Sequence, residues 1–110
     1  MIPDPAPPYE FDTSGVLRER IRRMLDRAGE IGRRPEIERS IAFIVDRLVR
    51  DPRGWGDPVR DLRHAKLTEY HGRHDNFLAV YAVHERVPMV FLSQLTPLEG
   101  NPLYGETFDA

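Results

Sequence analysis

Two apolar runs joined by a short polar segment, at residues 77–95, constrain the fold of this chain more than any other stretch. The runs cover 77–83 and 89–95, and both are rich in β-branched and aromatic side chains. The residues between them are mostly polar and end in Pro88, which has no amide donor and suits a loop or the entry to a strand. The pattern predicts a β-hairpin. Because both runs are apolar on both faces, we expect other elements to cover one face.

Two helices upstream are predicted to provide that cover. After three capping side chains at 12–14, apolar residues recur through 17–28 at the spacing of one helical stripe, and Gly29 and Gly32 end the helix. A second stripe runs through 37–48, with Pro35 in its first turn and Pro52 beyond its end. The short connection predicts an antiparallel αα-hairpin.

The remaining segments complete an α+β domain. A short strand is expected at 8–11, a loop around Trp55 at 53–58, a turn or strand at 59–66, a strand at 67–71 and a turn at 72–76. We interpret 1–8 as a proline-rich leader, 9–96 as the domain and 97–110 as a tail. The predicted fold is an αα-hairpin on a three- to four-stranded antiparallel sheet. Its predicted core is Leu17, Ile21, Leu25, Ile41, Ile44, Leu48, Val80, Phe91 and Leu95.

Composition excludes several classes of protein. The 110 residues contain no cysteine, which rules out a disulfide framework, a thiol nucleophile and cysteine-ligated zinc. No apolar run approaches the ~20 residues of a membrane span, and the first residues lack the pattern of a signal peptide. We therefore expect a cytoplasmic protein of one domain that has no membrane contact and no cofactor.

Positive charge is concentrated in the predicted helices. Residues 16–50 carry ten arginines and six acidic residues, a net charge of +4, whereas 1–15 and 51–110 each carry −3. The planar guanidinium group suits pairing with phosphate and carboxylate. A solvated helix face and a partner-binding surface are both open readings of these arginines.

The histidines and a basic, aromatic cluster are the candidates for chemistry. His64, His71 and His74 fall within eleven residues. His71, His74 and Asp75 have donor atoms for zinc, but no helix sets their spacing, so we expect no metal site. Acid–base catalysis and exposed histidines without a role are the other readings. Residues that could hold a phosphodiester or stack a base surround the 67–71 strand: Arg60, Arg63, Lys66, Tyr70, Arg73 and Tyr81.

The order and spacing of these features resemble the RelE/ParE superfamily of bacterial type II toxins. Asp51-Pro52, Gly56 and Leu62 match positions that follow the second helix in that family, and 75–81 loosely matches its Gly-Asp-aromatic-Arg-hydrophobic-hydrophobic-Tyr strand. The resemblance covers residues 9–104. The chain departs from the family at two positions. Leu78 stands where these toxins usually have an arginine, and Pro97 or Leu98 stands where the mRNA-cleaving members have a basic residue after the last strand.

The resemblance implies a toxin that cleaves mRNA on the ribosome or inhibits a cellular target such as gyrase. In the first case the working residues would be Lys66, Arg73 and Tyr104, with His71 or His74 replacing missing basic groups. Arg60, Arg63 and Tyr70 would bind RNA or phosphate. The alternative is a non-catalytic protein-binding module that keeps the fold.

The resemblance also implies a partner, a small antitoxin. An acidic amphipathic segment would complement the arginines of the first helix: Arg18, Arg22, Arg23 and Arg27. A homodimer is a further expectation for the same surface.

Overall fold

The computed structural model describes residues 8–108 and places helices against a five-stranded sheet. In chain order the elements are β1 (Glu10–Thr13), α1 (Gly15–Glu30), α2 (Arg34–Arg50), α3 (Pro52–Trp55), β2 (Asp57–Leu62), a 3₁₀ turn (Arg63–Ala65), β3 (Leu67–His74), β4 (Phe77–His84) and β5 (Met89–Pro97). The α+β prediction is confirmed. All of the predicted leader except Pro8 lies outside the described residues.

The sheet differs from the prediction in its strand number and direction. Its order is β1-β5-β4-β3-β2, and β1 runs parallel to β5 while the other neighbours are antiparallel. The prediction of a three- to four-stranded antiparallel sheet is therefore wrong in detail. A parallel pair needs a long crossover, and the two helices with three further strands provide it between β1 and β5.

Both long helices begin and end close to the predicted residues. The Ser14 hydroxyl accepts a hydrogen bond from the Leu17 amide at 3.1 Å, which satisfies one of the free donors of the first turn. Gly32 follows α1 with φ of +73°, a left-handed conformation that glycine adopts without strain. Pro35 stands in the first turn of α2, where the missing amide costs nothing.

A bulge in β5 decides which side chains of the hairpin reach the core. Tyr81 pairs with Leu92 and Val80 pairs with Gln94, so Ser93 is the extra residue, and its hydroxyl donates to the Val80 carbonyl at 3.0 Å. The bulge lets Leu92 and Leu95 both face the helices although they are three residues apart.

The predicted core is confirmed in part. Leu17, Ile44, Leu48 and Leu95 are buried in it, and Ile21, Leu25 and Ile41 are partly buried against it. Phe91 was predicted wrongly, because it lies between the inward-facing Val90 and Leu92 and is 38% exposed on the opposite face. Val80 is buried, but it also belongs to the opposite face because it alternates with the inward-facing Ala79 and Tyr81.

The turn between β3 and β4 is shorter than predicted. β3 continues to His74, and only Asp75 and Asn76 form the turn, with φ of 47° and 58°. His74 pairs directly with Phe77, so this is a two-residue hairpin turn with both central residues left-handed. Asp and Asn tolerate that conformation better than other side chains.

The segment after α2 is a helical turn where the sequence predicted only a loop. The Asp51 carboxylate accepts a hydrogen bond from the Gly54 amide at 3.1 Å and caps the four residues of α3. Trp55 then stacks on Tyr81 with ring centroids 5.8 Å apart, and Tyr81 stacks on Tyr70 at 5.4 Å. Gly72 lies directly under the Trp55 ring, where a Cβ atom would collide with it.

The tail beyond β5 packs back onto the domain. Leu103 and Phe108 are buried members of the core, and the Asn101 side chain donates to the Asp75 carbonyl at 3.2 Å. Glu106 pairs with Arg27 of α1 at 2.6 Å. Within residues 8–108, no helix has the length and apolar character needed to cross a membrane.

Replacing Ile44 with alanine is expected to lower the free energy of unfolding by about 2–5 kcal/mol, because a fully buried branched side chain is removed and leaves a cavity. Denaturant unfolding measures the change. Val16→Ala is the control, since Val16 is 75% exposed and its truncation should be nearly neutral. Equal effects of the two substitutions would contradict the assignment of α2 to the core.

Tyr81→Phe is expected to cost about 1–3 kcal/mol of unfolding free energy at neutral pH, because two buried backbone groups lose their partner. The Tyr81 hydroxyl donates to the Pro52 carbonyl at 2.6 Å and accepts from the Gly56 amide at 2.9 Å. An unchanged stability in urea titrations would show that this bridge contributes nothing.

The same comparison should depend on pH. Burial raises the pKa of Tyr81 to about 12, whereas a tyrosine in the unfolded chain titrates near ~10. The unfolded state therefore loses its proton first, so the contribution of Tyr81 is complete below pH ~10 and is lost as the pH rises toward ~12. Between pH ~10 and ~12, the difference in unfolding free energy between the wild-type protein and Tyr81→Phe should therefore shrink, as urea titrations at several pH values would measure.

Candidate functional site

The helices cover one face of the sheet and leave the other uncovered. We call the uncovered side the open sheet face. Three rows of side chains cross it, because residues that pair on neighbouring strands point to the same face of the sheet. The rows are Arg60–Glu69–Ala82–Phe91–Asp12, His71–Val80–Gln94 and Arg73–Leu78–Thr96. The open sheet face is thus apolar along its central strand and polar toward β2 and β3.

Two shallow hollows indent this face. The larger, about 470 Å³, is lined by polar and apolar side chains in similar measure: Val59, Arg60, Glu69, His71, Leu78, Val80 and Gln94. The smaller, about 90 Å³, lies among Leu67, Ala82, Met89 and Phe91 and is largely apolar. Met89 and Phe91 are each about two-fifths exposed, 42% and 38%. The face therefore offers apolar contact area with adjacent hydrogen-bonding groups.

The predicted catalytic residues Lys66 and Tyr104 lie at opposite ends of the sheet. Lys66 precedes β3, whereas Tyr104 follows Asn101, which is bonded to the turn after β3. β3 has eight residues, a length of roughly 25 Å at about 3.3 Å per residue. The structure does not bring these two side chains to one phosphate group.

His71 and His74 are separated by the sheet itself. Residues three apart in a strand point to opposite faces, so His71 lies on the open sheet face and His74 lies on the helix side. There His74 stacks on Phe43 with ring centroids 3.8 Å apart, and its Nε2 is 3.1 Å from the Asp75 carboxylate. The described part of the chain contains no group of three His, Asp or Glu side chains arranged to hold a metal ion.

Arg73 shares the open sheet face with His71, two residues earlier in β3. Of the three predicted RNA contacts, Arg60 pairs with Glu69 at 3.4 Å on this face, and Arg63 pairs with Asp61 at 3.2 Å on the 3₁₀ turn. Tyr70 is 6% exposed and stacks on Tyr81 inside the core. Its ring is therefore not available to stack on a base, and the predicted RNA contact is replaced by a structural role.

Four of the five arginines of α1 are paired within the chain. Arg22 bonds to Glu19 and to Asp26, Arg27 bonds to Glu30 at 2.9 Å, and Arg23 approaches Glu19 at 3.4 Å. The Arg22 hydrogen bond lowers the pKa of Glu19 to about 2. Arg18 donates to the Thr13 carbonyl at 2.8 Å and lies 3.7 Å from Asp12. Much of the positive charge expected on this helix is therefore balanced by neighbouring carboxylates.

Comparison with known proteins identified no relative of this chain. No family model, curated protein or solved structure matches the chain. A functional assignment must therefore be argued from the open sheet face and from the placement of charge around it.

Sequence reasoning missed the members of the open sheet face that carry no obvious chemistry. Leu78, Val80 and Gln94 line the larger hollow but read as ordinary strand residues. Alternation from the buried Tyr81 would have placed Val80 and Leu78 on the uncovered side. The bulge at Ser93 would have been needed to place Gln94, and nothing in the sequence indicated it.

Proposed function

We propose that this chain is a type II toxin with a RelE/ParE-like fold that acts in the cytoplasm by binding a target, without cleaving RNA. The order of a first strand, two helices and an antiparallel run of strands supports the RelE/ParE-like part of the proposal. Binding in place of cleavage is supported by the separation of the predicted catalytic groups.

One observation carries the choice of mechanism. Cleavage of a phosphodiester requires cations and an acid–base pair arranged around one phosphate group. Lys66, Tyr104 and His74 lie at different ends or on different faces of the sheet, whereas the open sheet face is continuous. A continuous, partly apolar surface suits contact with a macromolecular target such as gyrase.

A second candidate is an RNase centred on β3. His71 and Arg73 project from the same face, and Arg60 stands on the neighbouring strand. A cation and a histidine side by side could hold a phosphate group and move a proton. RNA on the ribosome would then be the substrate.

The two mechanisms give different results when the protein is expressed in cells. The binding mechanism predicts growth arrest with intact transcripts, measured by mapping RNA 5′ ends. Phe91→Ala with Gln94→Ala should relieve the arrest, whereas Val87→Ala, an exposed apolar change in the β4–β5 turn, should not. Cleaved transcripts that become intact in His71→Ala with Arg73→Ala would favour the RNase, and harmless expression would favour a non-toxic binding module.

The antitoxin partner remains part of the proposal. Reversal of Arg22 and Arg23 to glutamate is expected to slow association and to reduce its salt dependence, because exposed charges steer encounters more than they hold complexes together. Stopped-flow binding at two salt concentrations measures both effects. The control is Arg33→Glu at the N-cap of α2, which breaks a pair with Glu36 of the same i, i+3 spacing as Arg22 and Glu19.

Purification of the protein from its native operon is the complementary test. A copurifying small acidic chain supports the antitoxin proposal. A self-associated chain would indicate the homodimer, and a lone monomer would contradict a dedicated partner.

A further inference from the structure

Several cations that lack a carboxylate partner converge on the turn between β4 and β5. Within residues 8–108, Arg53, Lys66 and Arg86 form no ion pair, whereas most arginines of the helices do. Lys66 is attached to this turn through its backbone carbonyl, which accepts from the Glu85 amide at 2.9 Å. Arg20, Arg39 and Arg73 likewise form no ion pair within these residues, but Arg53 and Arg86 are the two that share a hollow.

Arg53 is held in place by neutral groups. Its guanidinium group donates to the His84 carbonyl at 2.7 Å. Tyr9 and Tyr70 lie close to it, and Tyr9 is the main cause that raises the pKa of Arg53. These partners orient the cation and leave its charge uncompensated, which is the arrangement that favours an incoming anion.

His84 fixes the shape of the turn that carries Arg86. Its Nδ1 accepts hydrogen bonds from the Arg86 amide at 3.0 Å and from the Val87 amide at 3.2 Å. The turn is thus ordered, while the Arg86 side chain makes no hydrogen bond within the described residues.

These groups surround one hollow of about 500 Å³, lined by Tyr9, Arg53, His84, Glu85, Arg86, Val87 and Pro88. Glu85 is the one carboxylate in that lining. The donors available in this lining are two guanidinium groups and a phenol hydroxyl. Strong, forked donors of this kind match the several oxygens of a phosphate group.

We propose that this hollow is a binding site for a phosphate group, with Arg53 and Arg86 as its charge partners. Tyr9 supplies a neutral donor, and His84 shapes the turn that carries Arg86. The proposal does not depend on the toxin assignment, because Arg53, Arg86 and Tyr9 are not among the residues proposed to contact the target. The phosphate group could belong to a small phosphomonoester or to a nucleic-acid strand, and the two sources share this chemistry.

The test is an NMR titration of the ¹⁵N-labelled full chain with inorganic phosphate, with ionic strength held constant by chloride. We expect saturable shifts of the Arg53 Nε–H and of the amides at 85–87. Arg86→Gln should weaken binding about tenfold, the loss expected for one charge-assisted interaction. Arg39→Gln is the matched control, because Arg39 is an exposed cation of α2 that also lacks an ion pair within the described residues.

Arg53→Gln is a second variant, but Arg53 also supports the fold through its bond to the His84 carbonyl, so Arg86→Gln decides the result. Parallel titrations with a nucleoside 5′-monophosphate and a short single-stranded RNA separate the sources of the group. Tighter binding of RNA at the same residues would identify a strand as the ligand, and equal or tighter binding of the monophosphate would identify a small phosphomonoester. Absence of saturable shifts with all three probes, or equal losses in Arg86→Gln and Arg39→Gln, would overturn the proposal.

Discussion

The hydroxyl of Tyr81 joins the two halves of this fold. It lies at the centre of the sheet, yet it bonds to backbone groups on both sides of α3, the Pro52 carbonyl and the Gly56 amide. Its ring also separates those of Trp55 and Tyr70, so one side chain anchors the connection between the helices and the sheet. A Cβ atom on Gly56 would lie 2.8 Å from the His71 carbonyl oxygen, so this close approach also requires glycine. These contacts stabilise the turn of the chain from α2 into β2.

That connection has a consequence for function. Trp55 of α3 packs against Gly72 of β3 and Tyr81 of β4, on the same face of the sheet as α1 and α2. The described helices therefore all lie on one face of the sheet. The central strand β4 is apolar on both faces, so its other side depends on neighbouring side chains for shelter. Val80 is 6% exposed there without any helix above it. The open sheet face is therefore an apolar floor with a polar border, which is a suitable surface for a partner.

The sequence predicted the parts of the fold that are decided locally. The helices follow from capping side chains and one apolar stripe each, and the hairpin follows from composition and a proline. The parallel pairing of β1 with β5 is decided by contacts about eighty residues apart and leaves no local pattern. Phe91 was assigned to the wrong face because β5 contains a bulge after Leu92, and a period of two cannot be carried through a bulge.

The candidate sites were harder to predict because charge counted along the chain differs from charge available on the surface. Arg22, Arg23 and Arg27 of α1 stand three or four positions from acidic residues, so a helix brings these charges together and neutralises them. Arg53 and Arg86 occupy a short helical turn and a hairpin turn, where no such spacing operates, and neither forms an ion pair within the described residues. The helical region has the larger formal charge, but Arg53 and Arg86 share one hollow at the end of the sheet. An ion pair has little net charge at a distance, and physiological salt limits the attraction of an unpaired cation to about 8 Å, so an anion near this hollow would meet two unpaired cations together.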